Sequence, residues 1–392
     1  MNYTNNFKTD KRLGTLIRIF TNEEKPQMSR NSYHPTFKLP VLLVKSMSCI
    51  GLLVEANENI WQKIISITFR FLLIFINLSL WISSLMLNNL QEWKVMSAYL
   101  ASSSSILVMY FAMYCERNAL TITLQKLSKI SVSNNEMALN GITIILFSFP
   151  VIYSVLQSAV YDDDEWLSRF ETYGYDIENH TVKVLVLSFK TFLYGIVHPT
   201  FTCLVALLYC VLCQRYRTLI KNLTQKVKEV SPKDFGPSKQ IDILRRKSKI
   251  DDIFQNIQYI FSVPSFFMTA VNFLMCGSMI GWLLSSDTGK LQPNAIVEIA
   301  FYIVIDFSSL FVVLWIAGGM PIELKKLKYE FNRKIRLRLL HAEYHEETEP
   351  KSDLFGQSDF SFSGCDIISF KRSMILAFTG TLITYTFLVI SI

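Results

Sequence analysis

The sequence predicts an all-α, polytopic membrane protein with seven transmembrane helices, a cytoplasmic N-terminus and an extracellular C-terminus. Three observations carry that expectation. Of 392 residues, 51% are hydrophobic and 18% are charged, whereas an average globular domain has about 25% charged residues; mean hydropathy is +0.29. The apolar residues gather in seven blocks of about the 20 residues that span a bilayer as a helix. Lysine and arginine are one-sided: the N-terminal segment and every second connection carry 32, the opposite connections only Lys94, Arg169 and Lys290. Positive residues stay on the cytoplasmic side, which sets the orientation. A disordered or fibrous chain is excluded, and a soluble globular enzyme is disfavoured.

Residues 1–63 read as a cytoplasmic segment ending in an interfacial helix. The first 35 residues hold no apolar core of about 7–15 residues, so no cleavable signal peptide is expected. The stretch 39–54 is rich in Leu, Val and Ile and includes Lys45. It is too short to span, and reads as an amphipathic helix on the membrane surface. Six spans follow in 64–319, at 64–87, 95–115, 139–160, 183–213, 257–284 and 295–319. Segment 320–371 reads as a cytoplasmic anchor, and 372–392 is the seventh span.

Spans four, five and six run on into charged helical stretches, Arg215 to Val230, Ile241 to Ile260 and Ile322 to Tyr344. Ile250, Ile253, Phe254, Ile257 and Ile260 form an apolar stripe at helical spacing, which asks for a partner helix outside the bilayer. The alternative is a basic helix lying on anionic lipid. The connection 161–182 is acidic and holds Asn179-His180-Thr181, a glycosylation sequon at Asn179. Trp61, Trp93, Trp282 and Trp315 sit near span ends, as interfacial aromatics do. Seven cysteines, mostly within apolar segments, form no disulfide framework; Cys210 and Cys213 read as packing residues.

An ionisable residue inside a span is a functional candidate. Arg70, Lys190, Glu298 and Asp306 are such residues. Arg70 could snorkel to the cytoplasmic interface. Lys190, Glu298 and Asp306 lie in the outer halves of spans four and six, with Tyr99, Tyr153, Gln157, Tyr194, Trp282 and Tyr302 at similar depth. Together they suit an aromatic-walled ligand pocket open to the outside. A Lys190–Asp306 ion pair that fixes helix register is the alternative.

In the last span Thr381, Thr384, Leu388 and Ser391 share one face. Hydroxyls mixed with an aliphatic suit a narrow water-filled pore with a hydrophobic constriction, or else helix packing through small polar residues. His341 and His345 have i, i+4 spacing, but Ala342 replaces the glutamate of HExxH, and no nucleophile elbow or phosphate loop is present. An enzyme is not expected, nor a cofactor, a metal or a nucleic-acid partner.

The C-terminal run Ser363-Gly364-Cys365-Asp366-Ile367-Ile368-Ser369-Phe370-Lys371-Arg372-Ser373, followed by Gly380-Thr381-Leu382-Ile383-Thr384-Tyr385, resembles the end of arthropod gustatory receptors. That family carries Thr-Tyr, five mostly hydrophobic residues, then Gln-Phe. Thr384-Tyr385 matches, while Ser391-Ile392 stands where Gln-Phe is expected. The resemblance implies a ligand-gated, non-selective cation channel at the plasma membrane. It implies a tetramer, homomeric or assembled with related receptors, with the seventh helix of each subunit lining the pore. Tyr385 falls in the motif, and the gate is expected near Ser391 and Ile392. The ligand would be a small tastant, a sugar suiting an aromatic pocket with polar anchors, and membrane lipid would be the other partner. The related odorant-receptor channels and a secondary transporter are the alternatives. A receptor coupled to G proteins is disfavoured, because its orientation would put the 32 basic residues outside.

Overall fold

The computed structural model describes residues 40–54, 59–86, 92–130, 136–160, 172–175, 177–285, 293–341 and 361–391. The described chain is a helical bundle. In order it runs α1 (Val41–Cys49), α2 (Ile60–Met86), α3 (Glu92–Cys115), α4 (Arg117–Ile130), α5 (Glu136–Ala159), α6 (His180–Gly195), a wide turn Ile196–Phe201 and α7 (Thr202–Glu229). Then come α8 (Pro237–Ser285), α9 (Pro293–Ala317), α10 (Met320–His341), a two-stranded hairpin of β1 (Ser363–Gly364) and β2 (Ile368–Ser369), and α11 (Ser373–Ser391). Six helical stretches are long and apolar enough to cross a membrane, and the described part of α11 is a shorter apolar one.

The apolar residues divide as a bilayer requires. α2 exposes Phe71, Phe75 and Leu78, and α5 exposes Ile144, Ile145 and Val155, while Leu73, Ile76 and Leu80 of α2 are buried. Lipid is as apolar as leucine, so the outer faces lose nothing by remaining outside the bundle. α7 is the most enclosed of the spanning helices. It is ringed by the others, and its cysteines Cys203, Cys210 and Cys213 are buried as packing residues.

At the lysine-rich end the helices do not stop where their apolar blocks stop. α7, α8 and α10 continue beyond them, α8 as one helix of 49 residues, about 70 Å long at 1.5 Å per residue. The stripe on α8 finds its partners: Ile253, Phe254, Ile257 and Ile260 are buried, and Phe254 packs on Tyr216 of α7 at 5.5 Å. α10 zips along α7 through Arg217–Glu323 at 3.0 Å and Lys228–Glu330 at 3.8 Å. The Lys334 ammonium donates to the Val230 carbonyl at 2.6 Å.

Three features go beyond the sequence reading. The connection 116–138 holds a further helix, α4, with Leu120, Leu124 and Leu127 buried. α1 docks its Leu43, Val44 and Met47 into the bundle core rather than lying on a bare surface, leaving Val41 and Leu42 exposed. Arg70 is held within the bundle: its guanidinium donates to the Ser66 carbonyl and the Tyr114 hydroxyl and lies over the Tyr114 ring.

The hairpin joins the anchor to α11. Its turn residues Cys365 and Asp366 have φ of 53° and 57°, and the Ile367 N–H closes the turn on the Gly364 carbonyl, while the strands pair Gly364 with Ile368 across this three-residue connection. Gln258 of α8 brackets β1, donating to the Ser363 carbonyl at 2.8 Å and accepting from its N–H at 3.0 Å. Phe362 and Phe370, on either side, are fully buried against Tyr209 of α7. A Cβ on Gly318 would lie 2.6 Å from the Arg372 nitrogen, so only glycine lets the linker cross there.

Candidate functional site

Span four is where the bundle departs from regular helix. Proline fixes its own φ and pushes the preceding residue into extended conformation. His198, ahead of Pro199, has φ −139° and ψ 124° inside the turn that joins α6 to α7. The break carries the imidazole into the interior. Its Nε2 lies 3.3 Å from Oδ2 of Asp306 on α9. Its Nδ1 lies 3.4 Å from the Thr202 hydroxyl, which itself donates to the Pro199 carbonyl at 2.8 Å. The ring stacks on Tyr302 at 5.4 Å and 14°. Asp306 is completely buried, and its Oδ1 has no hydrogen-bond partner among the described residues.

Beside this pair is a cavity of about 20 Å³, lined by Ile76, Leu80, Tyr99, Ser102, Ser103, Ile106, Tyr194, Val197, His198, Met275 and Tyr302. That is room for about one water molecule. The walls are aliphatic and aromatic, and the polar groups are hydroxyls and one imidazole. The Ser102 hydroxyl donates to the Ala98 carbonyl of its own helix, and Ser103 accepts from Asn77.

Three of the nine expected ligand residues, Tyr99, Tyr194 and Tyr302, line the cavity. Tyr153 is one ring away, stacked on Phe301 at 4.6 Å and set edge-on to Tyr302. Asp306 sits behind His198. Gln157 is buried, Trp282 and Glu298 are half-buried, and none of the three reaches the lining. The Lys190–Asp306 pair is corrected: Asp306 takes His198 as its partner, and the Lys190 ammonium lies 3.9 Å from the centre of the Tyr173 ring. Eight residues separate Lys190 from His198, about 12 Å along a helix. The cavity of about 20 Å³ is smaller than a ligand pocket. Ser102, Ser103 and His198 went unrecognised in the sequence; the signals were the Ser102–Ser105 run and the His-Pro step inside an apolar block.

On α11, Thr381 and Thr384 are exposed, each hydroxyl donating to the carbonyl four residues back, Ala377 and Gly380. The opposite face packs on α8 and α9, with Leu382 buried and Phe378 against Phe273. Tyr385 is turned toward α8: a Cβ on Gly281 would lie 2.8 Å from its hydroxyl. Tyr385, one turn after Thr381 and itself exposed, reaches Gly281 with its hydroxyl end. The side chains of Leu388 and Ser391, and all of Ile392, lie outside the described residues. Asn179 caps α6, its side-chain oxygen accepting from the N–H groups of Thr181 and Val182.

No curated protein sequence matches the chain. Among solved structures it is similar to the insect olfactory receptor OR5 from Machilis hrabei, with a TM-score of 0.62 and 12% identity over 88% of this chain and 96% of that one. It is equally similar to OR5 in complex with eugenol, with a TM-score of 0.63 and 11% identity over 90% and 96%. At such identities the likeness is one of fold. The profile of the 7tm chemosensory receptor family matches residues 54–390, nearly the whole described bundle, and the chain belongs to that family.

Proposed function

We propose that the chain is a subunit of a ligand-gated, non-selective cation channel of the plasma membrane, a chemoreceptor of the gustatory branch. The observation that supports it most is the hydroxyl face of α11. Thr381 and Thr384 point away from their own bundle on an otherwise apolar terminal helix. A face that gains little from lipid suits water. Several subunits, as a homotetramer or with related receptors, would bring these faces round one axis, with Leu388, Ser391 and Ile392 toward the gate. Family membership and the likeness in fold to OR5 agree with this reading.

The orientation follows the basic residues, with α7, α8 and α10 projecting into the cytoplasm and Asn179 glycosylated outside. The ligand site is the cavity beside His198, reached from outside and backed by Tyr153 and Asp306. Its hydroxyl-rich, uncharged rim suits a small neutral molecule carrying hydroxyls. Sugars are one such class; the OR5 complex with eugenol makes simple phenols another. A ligand larger than water has to push α3, α6 and α9 apart. α9 and α8 both hold α11, so widening the cavity shifts the pore helix.

Whole-cell recording from cells expressing the chain, challenged with a panel of sugars and phenols, tests the reading. A saturable cation current, reduced by Tyr302→Ala with surface expression intact, is the expected result. Saturable uptake of a panel compound without current would favour a transporter instead.

A further inference from the structure

We infer that Tyr173 controls access to the cavity: its ring covers the cavity at the end away from the lysine-rich extensions, and a solute arriving there has to displace it. The inference rests on the proposed ligand site only for its purpose; the geometry stands apart from it. Residues 172–175 form a turn closed by the Tyr175 N–H donating to the Thr172 carbonyl at 3.1 Å. Tyr173 has φ 57° and Gly174 φ 83°. Two successive left-handed residues reverse the chain, and the reversal sends the Tyr173 side chain inward rather than out to solvent.

Its hydroxyl ends 2.6 Å from Ser79 Oγ on α2, and that oxygen is also 3.4 Å from the hydroxyl of Tyr194 on α6. Tyr194 and Leu80, the neighbour of Ser79, both line the cavity. Tyr173 thus rests on α2 and α6, two of the helices that line the cavity. Lys190, one turn before Tyr194, lies 3.9 Å over the ring face. The ammonium holds the ring by cation–π attraction. Among the described residues one hydroxyl contact and one cation–π contact hold the ring, and both are modest interactions that thermal motion releases. They suit a cover that opens without unfolding the bundle. Chemically, the cover favours compact solutes and discriminates by the rate of access rather than by contact in the bound state.

Substituted-cysteine labelling tests this without any ligand or current. Ser102→Cys puts a thiol in the cavity wall. 2-Aminoethyl methanethiosulfonate is added to the outside of intact cells, with the chain lacking Ser102→Cys as background. Labelling is read by mass spectrometry of surface protein. Tyr173→Ala should speed modification of Cys at this position by about tenfold, and Tyr173→Phe or Lys190→Gln by about threefold, the range by which losing one modest contact shifts a closed–open equilibrium. Equal rates in every variant that reaches the surface would overturn the inference. If Tyr173→Ala fails to reach the surface, the two milder variants decide. Faster labelling in cells that show no current would support the cover and count against the channel, so the two readings fail separately.

Discussion

His198 Nε2 meets Asp306 Oδ2 at 3.3 Å across the break in span four, deep in the bundle. The Thr202 hydroxyl spends its own proton on the Pro199 carbonyl, so at Nδ1 it can only accept. A hydrogen bond between Nε2 and the carboxyl needs one proton between them, carried by either group.

Deleting one member of this pair should cost more than deleting both. His198→Ala leaves a carboxyl buried without its partner, a loss of about 3–5 kcal/mol. Asp306→Leu leaves the imidazole in the same position. The double variant should be less destabilised than the sum of the two. Thermal unfolding in detergent, followed by size-exclusion chromatography, measures the cycle; strict additivity would mean the pair does not interact.

Asp306→Asn is the gentler change. An amide can still bond to Nε2, so the bundle should assemble while the ligand response changes. If the variant instead loses its assembly by size-exclusion chromatography, Asp306 is a structural residue alone.

The Gln258 amide grips β1 with a donor and an acceptor at once. Gln258→Ala removes these two bonds and a third to the Ser363 hydroxyl, and should cost about 1–3 kcal/mol. Hydrogen–deuterium exchange at the Ser363 and Cys365 amides should quicken, while that of the α7 core stays slow. Unchanged exchange at both amides would show that Phe362 and Phe370 hold the hairpin unaided.

Glu323 gives a pH dependence. Burial pushes its carboxyl up, but the hydrogen bond from Arg217 and the nearby Lys326 outweigh burial and hold it below its ordinary value of 4.5. A lowered carboxyl stabilises the fold at pH above the ordinary value, and that stability is lost as pH falls through the lowered one. The α7–α10 zipper should therefore loosen below about pH 4.5, and Glu323→Gln should flatten that acid limb of the unfolding profile. An identical limb in the variant would assign acid sensitivity to other carboxyls.

The helices were legible in the sequence because bilayer length and apolar runs are local properties; the stripe on α8 also announced its partners. α4 was overlooked although Leu120, Leu124 and Leu127 have helical spacing, because its polar residues read as a loop. Tyr99, Tyr194 and Tyr302, grouped by depth alone, all line the cavity beside His198. The partner of Asp306 was misjudged because opposite charge at similar depth pointed to Lys190. What decides the matter is direction around the helix, and the His198–Pro199 break redirects the chain in a way that helical counting from Lys190 does not follow.

Single-particle imaging of the purified protein in mild detergent tests the channel most directly. Four subunits around a central axis, with Thr381 and Thr384 facing it, is the expected result. A monodisperse monomer, or an oligomer whose axis is lined by a helix other than α11, would contradict it.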